Sequence, residues 1–323
     1  MNSDWQNFLS EQDTTQYTGQ QTVFCDLSQF GTLRVAGEDA QSFLQNLLSN
    51  DIREVTASSA QISSFNSAKG RMLATFLIWR DGEDYLLQLP ASLLEAMRKK
   101  LNMYVLRAKV KITENTNNLI SLGISGESAQ TLLPEGAGGL ALRGVLQAAE
   151  MSVIRLGEQQ FMLNTTPEHA PARWQILTQQ AMPVASAHWD WINIRAGMPV
   201  ILQQTQEQFV PQMVNFELIG GINFKKGCYP GQEIVARMHY LGKPKRRMYL
   251  AHLESNVAPQ PGDEVYNAAE LACGMIANVA AAPGGGFDAL VVMQIESHDA
   301  QSVHLKSLQG APLQFEALPY PLS

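Results

Sequence analysis

One short segment in the second half of the chain groups residue types that do chemistry. It reads Lys226-Gly227-Cys228-Tyr229-Pro230-Gly231-Gln232-Glu233 and is called the cysteine loop below. Gly227 and Gly231 permit a tight turn, Pro230 restricts φ, and the residues after Gly231 predict the start of a helix. A helix N-terminus beside lysines favours anions and thiolates. Cys228 is therefore a candidate nucleophile or metal ligand, and the alternative is a small buried hydrophobe beside solvated lysines.

The cysteine loop lies in a cationic stretch of an acidic chain. The 323 residues include 23 Lys and Arg against 30 Asp and Glu, a net charge of −7. Residues 225–249 alone carry +6, so the remainder carries −13. Within this stretch, the run 243–247 is either a solvated linker or a contact for phosphates or carboxylates. The overall acidity argues against a general nucleic-acid binder, so direct nucleic-acid binding is not expected.

Composition narrows the class of protein further. With 45% apolar and 16% charged residues, the chain can bury a core and is not disordered. Its three cysteines contain no CxxC pair, and no His spacing indicates a metal site. The first basic residue is Arg34, and no apolar run approaches the ~20 residues of a membrane span, so neither a secretory leader nor a membrane span is expected. We expect a cytoplasmic or organelle-matrix protein with reduced thiols.

Elements that could position these residues follow from periodicity. A hairpin followed by a helix is predicted twice, at 72–101 and at 151–180, as a weak α+β repeat. A strand is predicted at 119–124 and a helix at 128–133. After Tyr249, short apolar runs alternate with turn residues and predict an antiparallel β-barrel or sandwich. These runs are 248–253, 264–266, 273–279, 289–295 and 303–305.

Two further segments carry side chains that could face a ligand. The polar turn 66–71 places Lys69 and Arg71 around a glycine, and is either a ligand-facing loop or an exposed turn. Trp189 and Trp191 lie on different sides of a predicted helix. Trp can stack on a flat heteroaromatic ligand, and core packing is the alternative.

The cysteine loop resembles the K-G-C-[FY]-x-G-Q-E signature of the YgfZ family, a folate-binding group related to the aminomethyltransferase (T protein) of the glycine cleavage system. Segments 66–71, 189–199, 209–212, 220–226 and 318–320 are consistent with it. The resemblance implies an α+β fold, with two parts derived from ferredoxin-like units and a C-terminal antiparallel β-barrel arranged as a ring. The implied parts are residues 1–118, to which later segments return, 119–245 with the cysteine loop, and 246–323.

The resemblance also implies a ligand, tetrahydrofolate or a derivative. A pterin ring stacks on aromatic side chains and forms hydrogen bonds with polar ones. The glutamate tail of a folate binds Lys or Arg. Phe30 and Trp189 match the aromatic positions that accompany folate binding, although Phe30 has no indole N–H to donate. Cys228 is the candidate catalytic residue. The other implied binding residues are Lys226, Gly227, Tyr229, Gly231, Gln232, Glu233 and Arg237.

The implied role is an accessory one, supporting assembly or repair of iron–sulfur proteins and, through them, tRNA modification. Partners would be folate and iron–sulfur enzymes or assembly factors. Aminomethyltransferases carry an aspartate soon after the glycine turn, whereas residues 71–76 contain no carboxylate, so glycine-cleavage activity is not expected. The alternative is a folate-dependent one-carbon or thiol transferase. A third hypothesis, direct tRNA binding through 243–247, is the least favoured by charge.

Overall fold

The computed structural model describes residues 2–15, 17, 19, 21–242 and 244–322. By contacts between Cα atoms, the chain divides into two units. The first unit contains residues up to 44, 52–61 and 76–189, and the second contains 45–51, 62–75 and 190 onward. Sequence neighbours therefore alternate between units in the first quarter of the chain. The division at 118 and 245 into three parts stays a prediction.

Helices occur in most of the regions where a helix was expected. The described residues also form two helices that were not expected, at 3–10 and at 295–299, and the second lies in the region predicted to be all-β. The helices are α1 (Ser3–Ser10), α2 (Ala40–Leu47), α3 (Ala91–Asn102), α4 (Ala170–Thr178), α5 (Ser186–Arg195), α6 (Gln232–Leu241) and α7 (Ile295–Asp299). The helix predicted at 128–133 is wrong, because Ala129–Leu132 forms a single 3-10 turn instead. With no apolar repeat longer than one turn, this segment lacks the length that makes an α-helix stable.

The first unit contains a mixed sheet among its described residues. Its strands are β1 (Val23–Asp26), β7 (Ile120–Ser125), β8 (Val145–Ala148), β9 (Met151–Arg155), β10 (Gln160–Thr165) and β11 (Met182–Pro183), in the order β11-β1-β7-β10-β9-β8. Neighbouring strands run antiparallel except β1 and β11, which are parallel. Strand β10 is buried at every position and lies in the middle of this order.

A second sheet carries the other predicted hairpin. Its strands are β2 (Phe30–Ala36), β3 (Gln61–Asn66), β4 (Met72–Asp81), β5 (Asp84–Pro90) and β6 (Lys111–Glu114), in the order β3-β4-β5-β2-β6. The β4–β5 hairpin turns at Asp81 and Asp84, which pair with each other, and Gly82 in that turn has φ +59°. Helix α3 follows β5 directly, just as α4 follows the β9–β10 hairpin, so the predicted repeat is confirmed.

The core of the first unit gathers aromatic side chains around the mixed sheet. Trp174 contacts Phe24 with ring centroids 4.7 Å apart and a 70° interplanar angle, and meets Trp5 edge-on at 5.9 Å. Burying each such side chain stabilises the fold by roughly 1.5–3 kcal/mol. Helix α1 therefore contributes to the core through Trp5, a role that its short polar sequence did not predict.

The second unit ends in the all-β region that the sequence predicts. Its antiparallel sheet contains β12 (Arg246–Leu253), β13 (Glu264–Asn267), β14 (Ala272–Ala281), β15 (Phe287–Gln294), β16 (Val303–Leu305) and β17 (Gln314–Glu316), in the order β16-β13-β14-β15-β12-β17. The sheet curls into a half-barrel over a core that includes Ile276, Val291 and Cys273. Each of the five predicted apolar runs corresponds to one of the strands β12–β16, and the α+β class is confirmed.

Candidate functional site

The cysteine loop is anchored in the second unit by a buried lysine. Lys226 is only 5% exposed, and its Nζ donates to the carbonyl oxygen of Gln45 at 2.6 Å and to that of Leu48. These carbonyls belong to the last turn of α2 and the residue after it, where helix carbonyls lack intrahelical partners and the helix dipole favours a cation. The Lys226 ammonium therefore fixes the position of the loop and is directed away from solvent.

The residues before Lys226 are held to the same segment. The Ser49 hydroxyl donates to the carbonyl of Gly221 at 2.7 Å, and the Asn50 amide donates to that of Gly220 at 2.8 Å. The backbone N–H of Asn223 donates to the carbonyl of Ser49 at 3.1 Å. Because Ser49 and Asn50 are buried, losing either set of bonds would strand polar groups away from water.

On the other side of Cys228, two glycines bring two loops into backbone contact. Gly231 has φ +77°, and a Cβ added there would lie 2.5 Å from the Cα of Gly70 and 2.5 Å from the carbonyl oxygen of Ser67. Gly70 has φ +71°, and its added Cβ would lie 3.0 Å from the Cβ of Ile234. Glycine is needed at both positions for conformation and for space. The 66–71 turn thus lies beside the start of α6, as a ligand-facing interpretation requires.

Cys228 lies at the exposed crest of this anchored loop. Its thiol is exposed, whereas Cys25 and Cys273 are buried. The following residue, Tyr229, is 7% exposed, and its ring centroid lies 5.1 Å from the Lys226 ammonium. Burial raises the pKa of the Tyr229 phenol, so this residue stays neutral and supports the loop through packing. The arrangement presents one thiol to solvent between two buried side chains.

Helix α6 begins where the sequence predicts and carries the remaining loop candidates. The Gln232 amide donates to the carbonyl of Lys226 at 3.5 Å, a long bond that links the two ends of the loop. Glu233 and Arg237 are exposed, and Lys225 before the loop is exposed as well. Among the cations of the loop and α6, a ligand could therefore meet Lys225 and Arg237, whereas Lys226 is buried.

The two predicted aromatic contacts both lie in the first unit. Trp189 on α5 is 3% exposed and packs over Gly123, where an added Cβ would lie 2.4 Å from the indole ring. Phe30 begins β2 and is half-buried. The neighbouring Gln29 side chain donates to the carbonyl of Ser186 at 3.2 Å, which joins the start of β2 to the start of α5. One face of the Trp189 indole is thus covered by backbone.

The basic run 243–247 differs from both sequence interpretations at its last residue. Lys243 lies outside the described residues, and Lys245 is exposed. Arg247 is instead buried, and its guanidinium donates to the carboxylate of Glu217 and, at 2.9 Å, to the carbonyl of Gln212. No local pattern predicts this ion pair, because its partners are thirty residues apart along the chain.

A second polar cluster in the second unit was also missed. Asp288 is 4% exposed and accepts from the indole N–H of Trp191 at 2.8 Å. The Arg195 guanidinium lies 3.5 Å from this same oxygen, and the other oxygen of Asp288 lies 2.8 Å from Nδ1 of His252. The hydrogen bond to Asp288 raises the pKa of His252. The indole N–H of Trp191 therefore has a hydrogen-bond partner within the protein. Its sequence pattern alone predicts neither this bond nor the partner.

The described residues contain neither a metal-holding cluster nor a membrane-spanning helix. Among residues 2–15, 17, 19, 21–242 and 244–322, no cluster of three or more His, Cys, Asp or Glu side chains has a geometry that could hold a metal ion. In the same part of the chain, no helix combines the length and the apolar character that crossing a bilayer requires.

Comparisons with known proteins concern the sequence family and the overall fold. Residues 5–145 match the family model described as the GCVT N-terminal domain. The tRNA-modifying protein YgfZ of Colwellia psychrerythraea is 31% identical over 248 residues, which is 76% of each chain, and that of Cronobacter sakazakii is 32% identical over 244 residues, 74% of each. The glycine cleavage system aminomethyltransferase T of Bartonella henselae superposes with a TM-score of 0.75 at 16% identity, covering 93% of this chain and 86% of that one. The aminomethyltransferase-like fold is thereby confirmed.

Proposed function

The chain belongs to the YgfZ family, and from that premise we propose that it is a cytoplasmic, folate-binding accessory protein that supports iron–sulfur protein assembly or repair. Through such clients it would support tRNA modification, the activity for which its relatives, the tRNA-modifying proteins YgfZ, are named. The proposed cofactor is tetrahydrofolate or a derivative. The observation that carries the proposal is the anchored presentation of Cys228.

The anchoring gives Cys228 a defined position. Lys226 ties one side of the loop to the Gln45 and Leu48 carbonyls, and Gly231 packs against Gly70 on the other side. A functional thiol needs accessibility combined with a fixed position, because orientation supplies a large part of reactivity. This combination supports a role for Cys228 in delivering or protecting a reactive group on a client protein.

The charge around the loop supports binding of an anionic ligand. Folates carry carboxylates on their glutamate tail, and the exposed cations Lys225 and Arg237 flank the cysteine loop. The resemblance assigns Arg237 to the ligand, together with the loop residues Lys226, Gly227, Tyr229, Gly231, Gln232 and Glu233. The assignment of pterin contacts to Phe30 and Trp189 rests on the resemblance and needs a separate test.

The local chemistry favours the accessory role over an aminomethyl transfer. Residues 72–76 of β4 are buried and carry no carboxylate, and the Arg71 guanidinium donates to the carbonyl of Gln208 at 2.5 Å. General acid–base catalysis on a folate nitrogen would need a proton-transfer group there. The second candidate, a folate-dependent one-carbon or thiol transferase, keeps its support from the exposed Cys228 thiol alone.

Rescue of cells lacking their own family member tests the role of Cys228. The readout is the fraction of tRNA carrying a modification made by an iron–sulfur enzyme, measured by nucleoside mass spectrometry. We expect Cys228→Ala to lose at least 80% of the rescue at equal protein level. The matched control is Cys273→Ala, which removes a buried thiol and should still rescue. Full rescue by Cys228→Ala would remove this thiol from the mechanism.

Titration calorimetry with tetrahydrofolate and with its polyglutamate forms tests the ligand. We expect saturable binding, and a three- to tenfold preference for the longer tail that is lost in the Lys225→Gln, Arg237→Gln double variant. Lys99→Gln, an exposed site on α3 in the first unit, is the control. For the aromatic assignment, Trp189→Phe should weaken tetrahydrofolate binding more than it lowers the free energy of unfolding. A loss of binding no larger than the loss of stability would assign Trp189 to packing over Gly123. Absence of binding by any folate form would end the proposal.

A further inference from the structure

Helix α6 exposes one continuous face, here called the α6 face, made by Glu233, Ile234, Arg237, Tyr240 and Leu241. At ~100° per residue these positions fall within about 120° of arc. Three of them are large apolar side chains: Ile234 is 41% exposed, Tyr240 65% and Leu241 83%. The opposite side of the helix is buried at Val235, whose carbonyl accepts from the Gln212 amide at 2.7 Å. The helix thus has its own contacts in the second unit and still presents an apolar face.

Ring contacts hold the C-terminal half of the helix in place. His239, outside the arc, stacks on Phe224 with centroids 3.7 Å apart and planes 12° apart, and Phe224 also meets Tyr240 edge-on. These contacts fix the C-terminal half of α6. Clustered exposed apolar side chains on an ordered helix mark a contact surface far more often than scattered single ones do.

Charge identifies the chemistry of the occupant. Arg237 lies at the centre of the α6 face, Lys225 is exposed nearby in sequence, and Lys69 is exposed on the turn whose Gly70 approaches Ile234. Within residues 225–249, Glu233 is the single acid. A complementary surface would therefore have an apolar centre rimmed by Asp and Glu, because aligned opposite charges steer encounter and exclude wrong partners.

We propose that the α6 face docks a partner protein through an acidic amphipathic segment, beside the thiol of Cys228. RNA fits less well, because RNA contacts use cations and stacking rings, and Ile234 and Leu241 serve neither purpose. A symmetric contact with a second copy would set Arg237 against its equivalent, which is unfavourable. The inference rests on the proposed function in that it names the kind of partner that function needs.

Site-specific photocrosslinking in cells tests the inference. The full chain carries p-benzoylphenylalanine in place of Tyr240, with Tyr104 as the matched control, an exposed tyrosine of the first unit. We expect an adduct at 240 at least fivefold above that at 104, mapping by mass spectrometry to a partner segment with apolar residues flanked by Asp or Glu. Adding Leu241→Ser should lower the yield at least fivefold. Equal yields at both sites, or adducts to RNA, to this chain itself or to a segment without acids, would overturn it.

A binding measurement with a defined probe complements the crosslinking. A fluorescent 20-residue helical peptide with Leu on one face and Glu on the other should bind the protein at least tenfold more tightly than its Lys counterpart. Leu241→Ser should weaken binding of the Glu peptide at least fivefold while leaving tetrahydrofolate binding unchanged, because it removes exposed apolar surface and no charge. Equal binding of the two peptides would contradict the inference. Cys228→Ala should keep peptide binding. If that variant also keeps cellular rescue, the proposed function of Cys228 fails while the docking inference stands.

Discussion

Lys226 and Arg247 are two buried cations of the same cationic stretch, and different chemical groups hold them. Lys226 binds backbone carbonyls at the end of α2, whereas Arg247 binds the carboxylate of Glu217 together with a carbonyl. Both are less than 10% exposed. Carbonyls are neutral dipoles that remain neutral if the cation is removed, but a buried carboxylate is left as an uncompensated charge.

This difference changes how the charge of the stretch should be counted. The sequence assigns +6 to residues 225–249, yet Lys226 and Arg247 direct their charge into the protein. Among the described residues of the stretch, Lys225, Arg237 and Lys245 are the exposed cations, with Arg246 partly buried. The positive potential available to a ligand or partner is therefore concentrated around the cysteine loop and α6, and the buried cations serve the fold.

The largest expected effect comes from Arg247→Met. It leaves the Glu217 carboxylate buried without its cation, so the free energy of unfolding should fall by about 3–5 kcal/mol. Urea unfolding followed by circular dichroism measures it. The double variant Arg247→Met, Glu217→Gln should recover at least half of the loss, since no charge is then stranded. If the double variant is as unstable as the single one, the carboxylate is not the cause.

Lys226→Met should cost less, about 1–3 kcal/mol, because it strands only carbonyls that lose a hydrogen bond. The same urea experiment applies, and faster proteolysis near residue 228 should accompany the loss, because the loop loses its anchor. A loss as large as that of Arg247→Met would break the comparison, since neutral acceptors would then matter as much as a carboxylate.

His252 extends the comparison to a cation that can be switched off. Its pKa is raised by Asp288, so its stabilising contribution is complete below the unfolded pKa of about 6.5 and is lost as pH rises through the folded pKa. Because the imidazole is partly exposed, we expect up to about 1 kcal/mol less stability at pH 8.5 than at pH 6 from this group. His252→Asn keeps a donor without titrating and should flatten that difference. An unchanged pH profile in His252→Asn would assign the dependence elsewhere.

The smallest effect is expected for Lys225→Met, the exposed neighbour of Lys226. Its removal should change the free energy of unfolding by less than about 0.5 kcal/mol, because an exposed side chain has little to lose. Comparing the free energies of unfolding of the Lys225→Met and Lys226→Met variants thus separates the effect of the loop anchor from the effect of surface charge. A cost near that of Lys226→Met would show that exposure misjudges the role of Lys225.

Much of the fold was predictable because local patterns encode it. Alternating apolar runs after Tyr249 correspond to strands β12–β16, and Gly231 marks the start of α6. The two hairpin–helix repeats were predictable for the same reason, because turn residues and helical periodicity are patterns that span only a few positions. The 128–133 helix failed because its apolar pattern is too short to distinguish an α-helix from a 3-10 turn.

The residues of the candidate site were predictable from the sequence, but the long-range contacts that hold them were not. Composition and spacing identified Cys228 and its glycines, and the resemblance added a proposed ligand. Nothing local indicated that Lys226 reaches Gln45, nor that Arg247 pairs with Glu217, because these partners are far apart in sequence. From the sequence alone, every cation of the stretch counts as surface charge. Only the packing shows that Lys226 and Arg247 are buried and bonded within the protein.

The second unit is assembled from three separate segments of the chain, and this has a consequence for its folding during synthesis. Segments 45–51 and 62–75 emerge from the ribosome roughly 115 residues before the main part of the unit begins at 190, which is about 6–23 s of synthesis at ~5–20 residues per second. During that interval the carbonyls of Gln45 and Leu48 and the start of β4 await partners that have not been made. A nascent chain paused before residue 226 should therefore be a chaperone substrate, and the thiol of Cys228 acquires its position only after more than two thirds of the 323 residues have been made.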